Sequence, residues 1–392
     1  MTTKGPSKHY LLHLNSYDTL SMAGNFWSKN DEQRADMTIG CHDSDDIPRV
    51  KDAGDIKKVN GEAVQVMHNG LLVKRGAYQG DWQARTIKAL RGTHEPQEEK
   101  VFYEVLKRVP KDGTMIELGS WWSYYSMWFV KSVDNGKAIC CEPDPNNIEV
   151  GKFNSRLNNL YDRMTFVSSA AGQEDHKLIE FETESKEKVR VPIRTVDSLI
   201  QEHNVSKLDV LHMDIQGAEV SALEGARRSI ESGKLRFVFI STHHHAISND
   251  PRTHQKCLDF IHKHGGHIIA KHTVLESCSG DGLIVASFDP KDKDFQVRVT
   301  LQPSDESFFR PLEEEVAILW DAKNELKAHT EEVEEDLHNK TDEFNYKETE
   351  LKGTIEHLNQ RIHYFETRSL KTRVKEDFRY ALGRVKSGLR PK

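Results

Sequence analysis

Between residues 114 and 142 an acid, a glycine and a second acid stand where two strands should end. Thr114-Met115-Ile116-Glu117-Leu118-Gly119 reads as an apolar strand running into a glycine turn. A helix-like stretch follows, then Ala138-Ile139-Cys140-Cys141-Glu142, a second apolar strand that closes on an acid. An acid in that place is what a Rossmann-like fold uses to hold the two hydroxyls of a nucleoside ribose. Asp144-Pro145 supplies a helix N-cap and an N1 proline, which fixes where the strand stops. The turn is not the G-x-G-x-x-G of a pyrophosphate cradle: after Gly119 it continues Ser120-Trp121-Trp122-Ser123. A ribose site without a diphosphate cradle suits S-adenosylmethionine (SAM) better than NAD.

Two further runs carry candidate chemistry. Val210-Leu211-His212-Met213-Asp214-Ile215-Gln216-Gly217-Ala218-Glu219 is a strand that ends at Asp214 with a helix starting about two residues later. Carboxyl ends of strands face the ligand crevice in open α/β sheets, so Asp214 can reach the reacting centre. Equally, Asp214 can serve as a helix N-cap. Phe239-Ile240-Ser241-Thr242-His243-His244-His245 sets three histidines just past another strand. Strand alternation would turn His243 and His245 the same way, and histidine is the side chain best poised for proton transfer near neutral pH. With 20 histidines in the chain, a solvated loop is the plain alternative. No metal is expected.

These residues need a scaffold, and the pattern around them supplies one. Short apolar runs at Met115–Leu118, Ala138–Cys141, Met164–Val167, Val210–Met213, Phe237–Ile240 and Leu283–Ala286 read as strands. Helix-like stretches at Tyr124–Ser132, Asn146–Leu157, Thr195–His203, Ala218–Glu231 and Thr253–Lys263 lie between them. Such alternation predicts a doubly wound, seven-stranded, mostly parallel α/β sheet with helices on both faces. Leu178–Glu182 and Lys188–Ile193 read as an inserted hairpin, and residues 61–92 as a short hairpin followed by a helix.

Composition bounds the rest. The 392 residues carry a net charge of −7, so nothing draws the chain to nucleic acid. Five cysteines without C-x-x-C spacing predict a reducing, cytoplasmic setting. Residues 313–350 carry a net −10, and Leu337, Phe344, Leu351, Leu358 and Phe365 recur every seventh residue, with Ile355 and Ile362 at the partner position. That predicts a coiled-coil helix and a homo-oligomer. Residues 366–392 are net +6, with Leu370, Val374, Phe378 and Leu382 in one stripe. This pattern suits peripheral contact with an anionic membrane at its inner surface.

The order of Arg91-Gly92-Thr93-His94-Glu95-Pro96, Met115–Phe129, Glu142-Pro143-Asp144-Pro145-Asn146, Thr195-Val196-Asp197-Ser198-Leu199 and Asp214–Glu219 resembles the FkbM family of SAM-dependent methyltransferases. The resemblance spans roughly residues 61–290. It implies a class I methyltransferase fold and methyl transfer from SAM to a hydroxyl of a sugar, glycan or related small molecule. It puts Glu117, Gly119, Ser120 and Trp121 by the methionine end of SAM, Glu142 on the ribose, and Ser169 and Ala170 near the adenine. It sets the Asp214 corner, with Gln216, by the transferred methyl; the strand reading adds His243, with His245 beside it, as the histidine that removes the hydroxyl proton. Two departures stand out: Ser123 replaces the turn's second glycine, and Gln216 replaces a glutamate. The expected layout is an arm over 1–60, the catalytic domain over 61–290, a linker over 291–312, the coiled-coil helix over 313–365 and a basic tail over 366–392. A non-catalytic coiled-coil scaffold and an NAD-dependent oxidoreductase are the competing readings.

Overall fold

The computed structural model describes residues 29–337 and 345–367, without 176, 302–306 and 308, and with 375 and 379. The chain divides into two compact units, Lys29–Gln302 and a second that contains everything from Pro303 onward.

The first unit opens with α1 (Asp31–Ile39) and a three-stranded antiparallel sheet, β1 (Ile56–Val59), β2 (Glu62–Val66) and β3 (Leu72–Lys74). Then come α2 (Gly80–Ala89), α3 (Pro96–Leu106), β4 (Thr114–Leu118), α4 (Tyr124–Ser132), β5 (Lys137–Glu142), α5 (Pro145–Leu157) and β6 (Met164–Ser168). A small sheet of β7 (Ala170–Ala171), β8 (Leu178–Glu182) and β9 (Lys188–Arg194) is the expected insertion. The remainder is α6 (Val196–Glu202), β10 (Leu208–Met213), α7 (Glu219–Glu224), α8 (Arg227–Glu231), β11 (Leu235–Thr242), α9 (His245–Ser248), α10 (Thr253–Lys263), β12 (His267–His272) and β13 (Gly282–Ser287).

The main sheet has seven strands in the order β12-β13-β11-β10-β4-β5-β6, with β13 antiparallel to both of its neighbours. Its central strands β10 and β11 are buried along their whole length because both faces are covered. Val210, Phe237, Phe239, Leu283 and Val285 join Phe102, Tyr124, Trp128 and Phe129 in the core on one face. Their alternates Leu211, Val238, Ile240, Ile284 and Ala286 join Leu199, Leu223, Cys257 and Ile261 on the other. The period of two along each strand produces this division. Cutting one of these fully buried side chains to alanine should cost about 2–5 kcal/mol.

Two expectations about boundaries need correction. The arm over 1–60 is ordered from residue 29: Asn30 and Gln33 form a capping box on α1, and Ala35, Met37, Cys41 and Ile47 are buried. Arg49 donates to the carbonyls of Ser44, Asp45 and Ile47. Polar chain folds there because its backbone groups find internal partners. Residues 1–28 lie outside the described set. Part of the expected linker over 291–312 also belongs to the first unit. Val297 donates its N–H to Ile269 O at 2.9 Å, and Thr300 donates to Asp43 Oδ2 at 2.6 Å. Gln97 of α3 gathers these strays. Its Nε2 donates to the carbonyls of Glu276 (3.0 Å) and Thr300 (2.7 Å), and its Oε1 accepts from Cys278 N (2.8 Å).

In the second unit the helical expectation holds but the single rod over 313–365 does not. There are two helices, α11 (Arg310–Leu337) and α12 (Asn345–Thr367). Arg361, late in α12, lies 3.6 Å from Glu315, early in α11, so the pair is antiparallel. The stripe Leu370, Val374, Phe378 and Leu382 of the basic tail lies outside the described residues. No helix among the described residues is long and apolar enough to cross a membrane.

Candidate active site

The glycine turn and the Asp214 corner touch. Gly119 has φ +76°, and a Cβ on it would lie 1.9 Å from the carbonyl oxygen of Asp214. Only glycine fits there. Asp214 N–H donates to Leu118 O at 3.1 Å, which locks the end of β10 to the end of β4. Gly119 and Ser120 both donate to Cys141 O, tying the turn to β5 as well. Thus the ends of three adjacent strands are held together by backbone.

Glu142 sits where β5 ends. Its Oε1 accepts from Asp144 N and its Oε2 from Trp121 N, both at 2.9 Å. Burial pushes its carboxyl up to about 7. Each oxygen keeps an unused lone pair, so two hydroxyls can still donate to it. Glu117, also buried, accepts from Ser126 N at the start of α4 (3.1 Å), and burial raises it to about 7. Ser120 Oγ is buried without a hydrogen-bond partner. A turn with no room for Cβ, an orphaned hydroxyl and two carboxyls with spare acceptor capacity fit a nucleoside bearing a positive charge. Trp121 donates its indole N–H to Ala77 O (3.1 Å) and packs on Tyr78. Ser169 is buried beside Glu142, whose carbonyl accepts its N–H at 3.2 Å, and Ala170 pairs with Ile193 in the small sheet.

Ser123, in place of the family's glycine, keeps the left-handed backbone that glycine would adopt, at φ +58°. Its hydroxyl lies in space left by Gly151 on α5, where a Cβ would be 2.4 Å from Ser123 Oγ.

At the carboxyl ends of β10 and β11, His243 bridges two acids. Its Nδ1 is 2.9 Å from Glu219 Oε1 and its Nε2 is 3.0 Å from Asp214 Oδ1. Glu219 Oε1 also accepts from Gly217 N (2.9 Å), and the left-handed Gln216 (φ +52°) and Gly217 bend the chain to allow it. Burial opposes a charge on His243. The carboxylates of Asp281, Asp214 and Glu219 outweigh it and raise His243 well above the ordinary histidine range. Burial likewise opposes the charge on Asp214, but the hydrogen bond from His243 holds it below the ordinary range. Asp281 Oδ1 is 3.8 Å from His243 Nε2 and has no hydrogen-bond partner.

A second histidine layer backs this group. His94 Nδ1 is 2.6 Å from Glu99, His212 Nε2 is 2.6 Å from Glu98, and Glu95 accepts from Tyr78 OH (3.1 Å) and Tyr125 OH (2.8 Å). Burial, with Glu98 and Asp214 nearby, pushes Glu95 up to about 7. Among the described residues, the ion-pair partners of Glu95, Glu98, Glu99, Asp214, Glu219 and Asp281 are histidines only.

Geometry therefore groups Asp214 with His243, and Glu117, Gly119, Ser120 and Trp121 with Glu142. It departs from expectation at His245. β11 stops at Thr242 and α9 begins at His245, so strand alternation does not extend to it, and its ring lies 4.0 Å from that of His244. Gln216 is exposed at the bend. Sequence reading missed Glu219 as the partner of His243, although it stands in the quoted motif. It missed Asp281 too, whose only signal is an acid between Gly280 and Gly282 before an apolar run.

The sequence model for the FkbM methyltransferase domain matches residues 76–268. No curated protein matches the chain. Solved structures with similar backbones include TrmK of M. capricolum in complex with S-adenosyl-homocysteine, at 13% identity and TM-score 0.33, covering 67% of this chain and 96% of that one. An O-methyltransferase from Bacillus cereus, also in complex with S-adenosyl-homocysteine, aligns at 17% identity and TM-score 0.33, covering 49% of this chain and 80% of that one. A third, Sp1610 of Streptococcus pneumoniae, described as a tRNA (m1A22) methyltransferase, has 12% identity and TM-score 0.31, covering 67% and 99%. Residues 76–268, which include the Gly119 turn, Glu142 and the Asp214 corner, are an FkbM methyltransferase domain, and the protein is a SAM-dependent methyltransferase.

Proposed function

We propose that the enzyme methylates a hydroxyl oxygen of a sugar, glycan or related hydroxylated metabolite. The observation that carries this reading is the Asp214–His243–Glu219 chain, which stands directly against the Gly119 turn. Glu142 would hold the ribose, Glu117, Gly119, Ser120 and Trp121 the methionine end, and Ser169 and Ala170 the adenine side. Bound SAM supplies an electrophilic methyl on a sulfonium. The protein's task is then to align the acceptor oxygen and to receive its proton. Asp214 and His243 position that oxygen, with Glu219 fixing the imidazole's orientation. The scaffold reading rested on Ser123 spoiling the turn, and Gly151 accommodates that hydroxyl. The NAD reading lacks the second and third glycines.

Transfer of tritiated methyl from SAM to a panel of sugars, nucleotide sugars and glycolipids tests the proposal. Asp214→Asn and His243→Asn should each lose about 10²-fold or more in rate while still binding SAM. Near-normal turnover in both would remove them from the mechanism. Transfer confined to amines would overturn the hydroxyl reading.

A further inference from the structure

We propose that Asp281 is the residue that takes the acceptor's proton. This rests on the methyl-transfer reading above and adds a catalytic group to it.

Topology brings the residue in. β13 runs antiparallel to β11, with Thr242 opposite Gly282. The next residue out on each strand is His243 on one and Asp281 on the other. Because β13 is reversed, its amino end lies at the carboxyl ends of β10 and β11. A residue preceding β13 therefore reaches the same crevice as residues that follow the parallel strands.

The local chemistry then selects among three candidates. His243 faces a carboxylate with each ring nitrogen, Glu219 at 2.9 Å and Asp214 at 3.0 Å. An imidazole held this way carries a proton on both nitrogens and has no lone pair to offer. Asp214 Oδ1 already accepts from that imidazolium, which weakens it as a base. Asp281 Oδ1 has no hydrogen-bond partner, and its side chain is 27% exposed. That oxygen is shielded from solvent and offers an open acceptor position.

The groups facing Asp281 are His243, Asp214, Glu95, Glu98 and Tyr78. Burial raises its carboxyl most, the like charges of Asp214, Glu95 and Glu98 add to this, and His243 opposes them, leaving it at about 8. A base of that strength is matched to work near neutral pH. A bound sulfonium would draw the value down.

The step balances. The acceptor oxygen's lone pair forms the C–O bond as the C–S bond breaks and its electron pair returns to sulfur. The O–H proton goes to Asp281 Oδ1. A sulfonium and a carboxylate become a thioether and a neutral acid. Among these largely buried groups, loss of a charge pair favours this base over a neutral imidazole, which would only relocate the charge.

The test uses the full chain with aspartate labelled by ¹³C at the carboxyl carbon. The signal missing in Asp281→Asn should titrate near pH 8 and move to lower pH when SAM is added. A midpoint below pH 5 overturns the proposal. Asp281→Asn should bind SAM within about threefold of wild type. If the wild-type chain itself does not bind SAM, the methyl-transfer reading fails first. With the acceptor found in the transfer screen, Asp281→Asn should lose about 10²-fold in kcat with little change in KM. It should also lose the limb that rises toward pH 8, and Asp281→Glu should recover part of both. A full rate with an unaltered pH profile in Asp281→Asn would overturn the assignment.

Discussion

Replacing Ser123 by glycine should leave the fold intact and make Gly151→Ala tolerable. Ser123 is fully buried with φ +58°, and a left-handed backbone costs an L-residue about 1–2 kcal/mol. Glycine removes that cost but returns about 0.5–1 kcal/mol through its freer unfolded chain. Ser123→Gly alone should therefore change stability by about 0–1.5 kcal/mol, in the stabilising direction. Gly151→Ala alone puts a Cβ 2.4 Å from Ser123 Oγ and 3.0 Å from a Phe166 ring carbon. Overpacking of that kind costs about 1–3 kcal/mol. In the Ser123→Gly background the first collision is gone, and alanine's helix preference, about 1 kcal/mol over glycine, can show. The double variant should exceed the sum of the single ones by about 1–3 kcal/mol, measured by urea unfolding of all four chains. Additivity within about 0.5 kcal/mol would show that the two positions are independent. The idea that Gly151 makes room for the Ser123 hydroxyl would then be wrong.

Glu142→Ala should weaken SAM binding by roughly 1.5–3 kcal/mol, the scale of lost charge-assisted hydrogen bonds, and unchanged affinity by calorimetry in a folded variant removes it from the ribose site. Glu95, Glu117, Glu142 and Asp281 sit above their ordinary values, as do His94 and His243, so the folded chain holds more protons than the unfolded one from about pH 4.5 to 8. Stability of the ligand-free chain should fall as pH rises through that window, by about 1.4 kcal/mol for every tenfold by which folding weakens a group's acidity, and a melting temperature that climbs from pH 5 to 8 contradicts it. Glu99 and Asp214, held below their ordinary values, act with opposite sign on the acid side, and His68, His254 and His272, lowered by burial, oppose the trend up to the ordinary histidine range, so the fall is steepest above it. We also propose self-association through the C-terminal helices and contact of the basic tail with anionic vesicles. Sedimentation of the full chain and of a chain ending at Gln302, with and without such vesicles at low salt, should show both properties only in the longer one; a full-length monomer that ignores vesicles excludes them.

The parallel core was legible because each of its strands is an apolar run closed by a turn or an acid. Glu142 and Asp214 could be singled out for the same reason, since each stands at or just past a strand end. β12 escaped notice because histidines bracket its short apolar centre, Ile268-Ile269-Ala270. Asp281 escaped because a reversed strand carries its site residue at the wrong end for the parallel rule. The order of residues 29–60 rests on partners far along the chain, such as Thr38 to Cys278 and Ser44 to Thr93, which no local pattern announces. The C-terminal region is helical as expected, yet an apolar spacing is the same for a partner chain and for the chain's own next helix.

Gln97 has a practical consequence for anyone who trims this protein. A piece limited to residues 76–268 would stop inside β12 and omit β13. β11, whose eight residues are all buried, would then present a bare, apolar edge. Such an edge is a template for pairing with other chains. A cut at Asp289 keeps the sheet but removes Thr300, and with it one of the two carbonyls that Gln97 Nε2 grips. The same amide side chain steadies Glu276 and Cys278, a few residues before Asp281. Aggregation of the shorter piece, or an intact but sluggish protein from the cut at Asp289, would therefore report on where the chain was severed, and not on whether the enzyme is active.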